Sequence, residues 1–383
     1  MKPIHLFLPL FLRALLPDLS AQNVYDSLQT GNRWRTYMTH LPAGYNPQTR
    51  YPLVLCFHGG QNGAQASSRG WQAVAFMSKL NAKADSAGFV VVYPEGTVIN
   101  NNRTWNAGGC CQPATTNGID DAGFVSALLD RLHQTYSIDT ARVYASGSSN
   151  GAMLCYRLAC EMPGKFAAIA TISGTQEFFP CNPARQIPVI SFHSRADAAV
   201  PYTGGTGEGP SGTFFTSQDS TLQLWTQLNG CTTRDTVLNG GSAGLSFIRI
   251  KNCDCQTEIH HYATSDGGHS WPGGNPNNNP VSFQVNATRV MWDFFQSYTL
   301  GCETTGIKPS AESGKPRLLP NPATASVTVT GLSEGRPFSV SPIGGQPVLQ
   351  GLTGQPLSLK GLPGGCWMLR IQGHPVPLRL IKL

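Results

Sequence analysis

The sequence is poor in charged residues and lacks positive charge where a nucleic-acid-binding protein needs it. Only 13% of its 383 residues are charged, and the formal net charge is +6. Residues 308–383 contain eight basic and two acidic residues, whereas residues 22–307 carry a net charge of −1. Because nucleic-acid binders concentrate basic residues on the functional domain, this distribution argues against a nucleic-acid partner.

Beyond the N-terminus, no apolar run approaches the roughly 20 residues that a membrane span requires. Near the N-terminus, Lys2 precedes an apolar stretch at 4–12, and Leu19-Ser20-Ala21 ends in small residues. This pattern predicts an export signal over residues 1–21, with a buried N-terminal helix as the alternative. Eleven cysteines in an exported chain favour disulfide bonds over free thiols or metal ligands. We expect a secreted or cell-surface protein without a membrane span.

Between residues 34 and 298, predicted strands and helices alternate along the chain. Strands are expected at 35–41, 53–57, 89–93, 142–146, 168–172, 187–193, 247–251 and 258–262, and helices at 71–87, 119–136, 150–161, 220–228 and 281–298. Such alternation is typical of a mostly parallel sheet with helices on both faces. We therefore predict one α/β domain over residues 22–302.

The pattern changes after Cys302. Residues 303–316 are polar and contain Pro and Gly, which predicts a linker. From Arg317 onward, short apolar segments alternate with Gly/Pro turns, at 326–330, 338–341, 347–349, 357–359, 366–371 and 378–381. This spacing predicts a second domain at 317–383, a small all-β sandwich.

Residues 147–151, Gly-Ser-Ser-Asn-Gly, match the G-x-S-x-G pattern between a predicted strand and a predicted helix. That context is required for a nucleophile elbow, a tight turn that projects a serine hydroxyl above the sheet edge. Ser149 is the candidate nucleophile, because it lies between the two glycines at the required spacing. Ser148 is the competing hydroxyl. An ordinary Gly/Ser turn is the alternative to an elbow.

A serine nucleophile needs a base and an acid that orients the base, and in this strand–turn–helix context they follow in the order Ser, Asp, His. Asp197 comes directly after the predicted strand at 187–193 and is the candidate acid; Asp254 and Asp266 follow no buried strand and are weaker alternatives. His269 lies in a glycine-rich loop before the last predicted helix and is the candidate base. The other histidines considered lie within a predicted strand or in the tail: His260, His261 and His374.

The oxyanion that forms on the substrate needs preorganised N–H donors. The N–H of Asn150, directly after the nucleophile, is one candidate. His58-Gly59-Gly60 follows the strand at 53–57, and its glycines allow the backbone to approach a substrate closely. We assign Gly60 as the second donor; a simple tight turn is the alternative.

Together these segments resemble the secreted polyhydroxybutyrate depolymerase and feruloyl esterase family of the α/β-hydrolase fold. The resemblance covers about residues 35–298 and is carried by residues 58–60, 105, 110–111, 120–121, 124, 147–151, 197, 200–202 and 268–273. Ser148 departs from the leucine that is more usual before the nucleophile. The resemblance implies a serine esterase without a cofactor or a metal. Trp105 and Trp271 are candidate substrate-binding residues, with core packing as the alternative for both.

The tail resembles the C-terminal sorting domain of type IX secretion. The matching segments are 319–323, 344–348 and 364–370, before a basic end, while Pro375 and Pro377 depart from the usual ending. The resemblance implies the type IX secretion machinery as a partner and passage across the outer membrane, followed by release or anchoring. An ancillary sandwich that packs on the enzyme is the alternative.

Two other patterns are set aside. Residues 207–212 match G-x-G-x-x-G, but they follow no clear strand, open no helix and contain Pro210, which argues against dinucleotide binding. Cys253 and Cys255 with the nearby histidines could suggest zinc, but in an exported chain a disulfide from Cys231 to one of these cysteines is expected. Cys56 is expected to be a free core residue, and neighbouring Cys110 and Cys111 are expected to find distant partners.

We therefore expect a two-step acyl transfer in which Ser149 attacks an ester, His269 carries the proton and Asp197 orients the imidazole. The expected substrates are feruloyl or acetyl esters of plant cell-wall polysaccharide, with polyhydroxybutyrate as the alternative. A different class, a non-catalytic surface protein that binds glycans, would require a gap in this triad, and none is evident.

Overall fold

The computed structural model describes residues 21–209, 211–241, 244–276, 279–301, 316–319, 321, 323–330, 337–342, 348–371 and 378–382. The chain divides into two compact units between residues 304 and 305. Most of the predicted export signal and of the predicted linker lies outside the described residues. Among the described residues, no helix has the length and apolar character needed to cross a membrane.

The first unit contains fifteen of the described strands and seven described helices. The strands are β1 (Gln22–Thr30), β2 (Arg33–Leu41), β3 (Tyr51–Phe57), β4 (Gln61–Asn62), β5 (Val90–Pro94), β6 (Thr97–Ile99), β7 (Asn102–Thr104), β8 (Ile138–Ser148), β9 (Ala168–Ile172), β10 (Val189–Ser194), β11 (Gly205–Thr206), β12 (Phe214–Phe215), β13 (Thr233–Asn239), β14 (Ser246–Lys251) and β15 (Ile259–Thr264). The helices are α1 (Ala64–Ser67), α2 (Gly70–Ser78), α3 (Leu80–Ala87), α4 (Asp121–Thr135), α5 (Asn150–Glu161), α6 (Gln218–Leu228) and α7 (Ala287–Phe295).

Ten strands form the central sheet, in the order β1-β2-β5-β3-β8-β9-β10-β15-β14-β13. The middle strands, from β5 through β15, pair in parallel, whereas β1, β2, β14 and β13 pair antiparallel at the two edges. The exchange of β5 and β3 in the order, with antiparallel β2 on one side, is the arrangement of an α/β-hydrolase sheet. The predicted fold class is confirmed.

The sheet separates two apolar cores because successive side chains of a strand point to opposite faces. Along β3, Leu53, Leu55 and Phe57 pack with α4, α5 and α6, whereas Val54 and Cys56 pack with α2, α3 and α7. Full burial of one such aliphatic side chain contributes about 1.5–3 kcal/mol to folding. Burial on both faces therefore fixes the register of the strands, and with it the position of every loop at their carboxyl ends.

Two predicted helices differ from the structure, and two edge strands of the central sheet were not predicted. The helix predicted at 71–87 is two helices, because Lys79 between them adopts a left-handed conformation (φ 56°). The helix predicted at 281–298 begins only at Ala287, where the Asn286 side chain accepts a hydrogen bond from Arg289 N–H. Strands β1 and β13, at the two edges of the sheet, escaped prediction because edge strands are largely exposed and show no apolar run.

The described part of the second unit consists of antiparallel strands. They are β16 (Arg317–Leu319), β17 (Ser326–Thr330), β18 (Pro337–Ser341), β19 (Leu349–Leu352), β20 (Pro356–Ser358), β21 (Gly365–Ile371) and β22 (Leu378–Lys382). One sheet has the order β16-β17-β20 and the other the order β19-β18-β21-β22. Val327 and Val329 of the first sheet share an apolar core with Val340 and Leu369 of the second.

The cysteines follow the sequence analysis with one correction. Cys231 bonds Cys253, one of the two partners expected, and Cys160 bonds Cys181. Cys56 is a free, buried core residue, as predicted. Cys155 is also free and buried. The prediction for Cys110 and Cys111 is wrong: they bond each other across a cis peptide bond, with Cα atoms 3.0 Å apart.

Candidate active site

Ser149 lies at a turn whose backbone conformation is rare for a residue with a side chain. Its φ and ψ are 56° and −125°, between the end of β8 and the start of α5. Such a conformation costs about 1–3 kcal/mol and persists only where the surroundings enforce it. Here the Ser149 N–H donates to Ile172 O (2.8 Å), and Met153 N–H donates to Ser149 O (3.0 Å). The turn therefore connects two strands of the sheet with the first turn of α5.

The two glycines of the motif allow this close packing. A Cβ atom on Gly147 would lie 2.5 Å from the backbone carbon of Gly151, and one on Gly151 would overlap Phe57 O and His58 O. No side chain can relieve these overlaps, since all the opposing atoms are backbone. Glycine is therefore required at both positions for α5 to start directly against β3.

Asp197 and His269 meet through a direct hydrogen bond. His269 Nδ1 lies 2.8 Å from Asp197 Oδ2, and the Asp197 side chain is fully buried while that of His269 is 18% exposed. Two hydrogen bonds hold the loop that contains His269. Gly268 N–H donates to Pro280 O (2.9 Å), and the Ser173 hydroxyl donates to Ser270 O (3.3 Å). A bond at Nδ1 leaves Nε2 as the ring nitrogen available for proton transfer.

Further donors hold the Asp197 carboxylate. The N–H groups of Ala199 and Val200 donate to Oδ1 at 3.0 and 2.9 Å. A second histidine also contacts this carboxylate: His193 Nε2 lies 3.4 Å from Asp197 Oδ2 and 2.9 Å from Val200 O. Burial alone would raise the pKa of the Asp197 carboxyl, but the hydrogen bonds with His193 and His269 bring it well below its ordinary value. Asp197 is therefore a carboxylate throughout the ordinary pH range.

A cavity of about 350 Å³ joins the serine and the histidine. Ser149, His269, Gly60 and Asn150 all line it. The remaining wall is rich in amide side chains, and apolar atoms line one part of it; these residues include Gln61, Asn62, Gln65, Asn102, Gln112, Cys111, Met153, Val200 and Phe215. The fold thus brings the predicted nucleophile, base, acid and both oxyanion residues to one edge of the sheet.

The geometry around His58 orients the Gly60 N–H. Gly96 N–H donates to His58 Nε2 (2.9 Å), so the proton is on Nδ1, which donates to Gly59 O (2.6 Å). Burial lowers the pKa of His58 to about 3, so the ring stays neutral in this tautomer. Because C=O and N–H point in opposite directions in a trans peptide, holding Gly59 O aims the Gly60 N–H the other way. Asn150 is the first residue of α5, where N–H groups have no acceptor within the helix.

Neither predicted tryptophan is among the described residues that line the cavity. Trp105 is fully buried, and its indole N–H donates to His58 O (2.9 Å). Trp271 is also buried, and its indole N–H donates to the Thr288 hydroxyl (2.9 Å). The structure gives both indoles packing and hydrogen-bonding positions behind the site instead of contact with a substrate.

The alternatives weighed on the sequence lie elsewhere. Ser148 is the last residue of β8. The Asp266 carboxylate accepts a hydrogen bond from the Ser282 hydroxyl (2.6 Å). His260 pairs with Glu258 (2.8 Å), while buried His261 lies 2.8 Å from the Ser191 hydroxyl. Asp254 is the first residue of a 3₁₀ turn, where its N–H donates to Asn229 O (2.9 Å), and His374 lies outside the described residues.

The sequence analysis missed His193 and the role of the Asn150 side chain, both of which support the site. His193 contacts Asp197 from behind, and the Asn150 side chain exchanges two hydrogen bonds with the Trp105 backbone, at 2.7 and 3.0 Å. The signal for His193 was its position, at the end of a fully buried strand and four residues before the acid. A polar ring at such a position needs partners, and a nearby carboxylate is an obvious one.

Comparisons with known proteins agree with this geometry. Residues 35–200 match the family model described as Esterase PHB depolymerase. The protein NocK of Nocardia uniformis subsp. tsuyamanensis is 29% identical over 278 residues, which is 67% of this chain and 76% of NocK. A bifunctional acetylxylan esterase/xylanase of Neocallimastix patriciarum is 27% identical over 68% of this chain. Feruloyl esterase B of Piromyces equi is 23% identical over 70% of this chain.

The matched region of this chain spans only 33% of the Neocallimastix protein and 46% of the Piromyces protein, so both contain much that this match does not cover. The family match begins at Arg35 and ends at Val200, and it includes the oxyanion segment, the serine turn and the acid. Residues 35–200, a little less than half of this chain, are therefore similar to the esterases that this family model describes.

Proposed function

We propose that this protein is a serine carboxylic-ester hydrolase that uses Ser149, His269 and Asp197. The observation that carries the proposal is the 2.8 Å bond between His269 Nδ1 and Asp197 Oδ2, at a cavity that Ser149 also lines. This bond fixes the tautomer in which Nε2 can accept a proton. The serine turn, strained and enclosed by backbone, supplies the hydroxyl.

The reaction proceeds in two steps. His269 Nε2 takes the hydroxyl proton of Ser149 as its oxygen bonds the ester carbonyl carbon, and the N–H groups of Gly60 and Asn150 hold the resulting oxyanion. The bond to the alcohol then breaks, and His269 returns its proton to the departing alcohol oxygen. In the second step water attacks the acyl-enzyme with His269 as base, which releases the acid and restores Ser149. Throughout, the Asp197 carboxylate stabilises the transient imidazolium.

We further propose that the substrates are feruloyl or acetyl esters on plant cell-wall polysaccharide. The cavity of about 350 Å³ is at the lower end of the roughly 300–1,000 Å³ typical of ligand sites, which suits one acyl group. Amide side chains such as Gln61, Asn102 and Gln112 line it, and they can both donate to and accept from hydroxyl groups. A polyester offers only carbonyl acceptors, whereas a sugar or a phenol offers hydroxyls. The acetylxylan esterase/xylanase and the feruloyl esterase among the relatives support the same substrate class.

Export is part of the proposal. The apolar stretch near the N-terminus would direct the chain out of the cytoplasm, and the tail domain would hand it to the type IX secretion machinery. The disulfides Cys160–Cys181 and Cys231–Cys253 support an oxidising destination.

The second candidate function, hydrolysis of polyhydroxybutyrate, is favoured by the description of the matching family model.

The test is an ester panel with the wild type and Ser149→Ala. The wild type should release p-nitrophenol from its acetate ester in a burst, and the variant should lose at least about 10³-fold in kcat, the effect typical of removing a triad member. Equal release by both proteins would contradict the mechanism and favour a non-catalytic glycan-binding protein. Ferulate release from methyl ferulate or feruloylated arabinoxylan would support the substrate class. Clearing of a polyhydroxybutyrate emulsion without ferulate release would support the polyester alternative.

A further inference from the structure

The hairpin formed by β1 and β2 has an inner and an outer face. Val24, Leu28 and Tyr37 point inward and pack against the apolar core. The strand register pairs Ser27 with Thr36 and Gln29 with Trp34, so these side chains share the outer face. Tyr25 lies two residues before Ser27 and therefore lies on the outer face as well. On this face Ser27 and Thr36 lie between Trp34 at one end and Tyr25 at the other, where Met38, the partner of Tyr25, is buried in the core that includes Trp71 of α2.

The two aromatic side chains are well exposed. Trp34 is 68% exposed and Tyr25 is 61% exposed. Because Tyr25 is four residues from the partner of Trp34, the two rings are about 14 Å apart along the strands at ~3.4 Å per residue. The Tyr25 ring packs against the ring of Trp71, with centroids 5.2 Å apart, which fixes its position.

Two depressions connect these rings into one groove. One, of about 530 Å³, is lined by Tyr25, Ser27, Thr36 and Arg69, and the other, of about 380 Å³, by Arg33, Trp34, Thr36 and Val98. Thr36 lines both, so the two depressions adjoin at this residue. We call this surface the hairpin groove and define it by Tyr25, Thr36, Trp34, Val98, Arg33 and Arg69.

The hairpin groove carries unpaired positive charge. Arg33 and Arg69 are exposed, and neither forms an ion pair among the residues that the structure describes. The carboxylates nearby are engaged: Asp26 accepts from the Tyr37 hydroxyl (2.8 Å), and Glu95 is buried against Arg103 (2.5 Å). Both carboxylates line the depressions, but Glu95 is paired with Arg103 and Asp26 has Arg131 at 3.7 Å, so a ligand with carboxylate groups would meet two guanidinium groups that have no ion pair among the described residues.

The groove ends at a wall that it shares with the catalytic cavity. On β7, Asn102 and Thr104 line the cavity, whereas Arg103 between them lines the groove. This alternation follows from the period of a strand, so the small sheet β4-β7-β6 separates the two sites by a single layer. Trp34 is at the end of the groove nearest this wall. The depression that Trp34 lines therefore lies on the opposite side of β7 from the cavity that Ser149 lines.

We propose that the hairpin groove binds an extended polysaccharide strand that carries uronic-acid carboxylates. Each aromatic face would stack on the C–H face of a sugar ring, because the negative π face attracts the partly positive C–H groups. The hydroxyls of Ser27 and Thr36 would bond the sugar hydroxyls between the rings, and Arg33 and Arg69 would bind carboxylates. The separation of the rings by polar side chains fits a chain of polar rings and disfavours a protein partner, which would need a contiguous apolar patch. The identity of this glycan as the substrate polymer rests on the proposed function, but binding at the groove does not.

The experiment is affinity electrophoresis of the full-length Ser149→Ala protein in gels containing glucuronoxylan or neutral arabinoxylan. Catalysis plays no part in it, so its failure would leave the esterase assignment untouched. Glucuronoxylan should retard the protein more strongly than arabinoxylan, and added salt should weaken the retardation. Adding Trp34→Ala or Tyr25→Ala should weaken binding to glucuronoxylan about fivefold each, as expected for loss of one stacked ring. Adding Arg33→Gln with Arg69→Gln should remove the preference for the acidic polymer.

The matched control is Phe76→Ala, which removes an aromatic ring of similar exposure, 59%, from α2. It should leave retardation unchanged, and the melting temperatures of all variants should match that of their parent, because the altered side chains are at the surface. Equal retardation of the parent and the two aromatic variants would overturn the proposal. So would equal retardation by both polymers with no effect of the arginine changes, or self-association of the protein that Trp34→Ala abolishes.

Discussion

The proposed nucleophile and the proposed acid–base pair occupy the same edge of the sheet, but the structure fixes them in different ways. Ser149 is positioned by backbone: two glycines, a hydrogen bond from its own N–H and the start of α5. Asp197 and His269 are positioned by side-chain hydrogen bonds from loops far apart in sequence. A site fixed by backbone tolerates almost no change in local sequence, whereas one fixed by hydrogen bonds can lose a partner and keep its shape. Substitutions should therefore affect folding at the first region and activity at the second.

The largest effect is expected from Gly151→Ala. The added Cβ would overlap the carbonyl oxygens of Phe57 and His58, so α5 could start only by moving away from β3. We expect a loss of about 3 kcal/mol or more in the free energy of unfolding, the range of severe overpacking. Urea denaturation measures it. Gly164→Ala is the control: its Cβ would meet no atom within 4 Å, and its stability should stay within about 0.5 kcal/mol of the wild type.

A smaller effect, on activity, is expected from His193→Gln. His193 is buried; burial would lower its pKa, but bonding to Asp197 raises it above the ordinary value. Its loss leaves the Asp197 carboxylate with one donor fewer on its far side, so His269 is held less firmly. We expect kcat/KM for p-nitrophenyl acetate to fall by about 10–100-fold, as when a supporting partner of a functional group is removed.

The control for that substitution is His260→Gln, on the neighbouring strand β15, where the ring pairs with Glu258. Its kcat/KM should stay within about twofold of the wild type, because the described bonds of His260 reach neither the triad nor the cavity lining. A variant at position 193 with full activity would show that Asp197 needs only the backbone donors of Ala199 and Val200. Such a result would erase the difference between the two regions.

The smallest effect should separate two adjacent glycines. A Cβ on Gly59 would lie 3.1 Å from the Ser149 Cβ, whereas one on Gly60 would lie 3.7 Å or more from its neighbours. Gly59→Ala should therefore crowd the nucleophile and lower kcat about tenfold, an effect of roughly 1.4 kcal/mol on the barrier. Gly60→Ala should keep most of the activity, since its N–H remains in place. If the two variants lose activity equally, the Gly60 backbone is more constrained than its surroundings indicate.

The same contrast explains what the sequence could predict. The serine turn was predictable because the local geometry requires its glycines. The positions of the buried strands along the chain followed from apolar runs such as 53–57 and 89–93. Asp197 and His269 were predictable from their positions after strands and in a glycine-rich loop. The sequence order Ser, Asp, His completed the inference.

The contacts that surround the triad were not predictable in the same way. His193 and His261 belong to strands, and nothing in a strand pattern says which buried ring meets a carboxylate. Trp105 and Trp271 were assigned to substrate, but an indole serves a core as well as a cavity, and only the fold distinguishes the two. The disulfide between Cys110 and Cys111 was not expected, because the expectation assumed the usual Cα–Cα distance of consecutive residues. The cis peptide between these two residues does not have that distance.

The most direct measurement is a mutant cycle on the kcat of p-nitrophenyl acetate hydrolysis, with Ser149→Ala, His269→Ala and the double variant. If the two side chains act as one unit, each single substitution and the double one should reduce kcat to the same residual level. Losses that multiply, so that the double variant is slower than either single one by the product of their effects, would contradict a shared role at the cavity that Ser149 and His269 line.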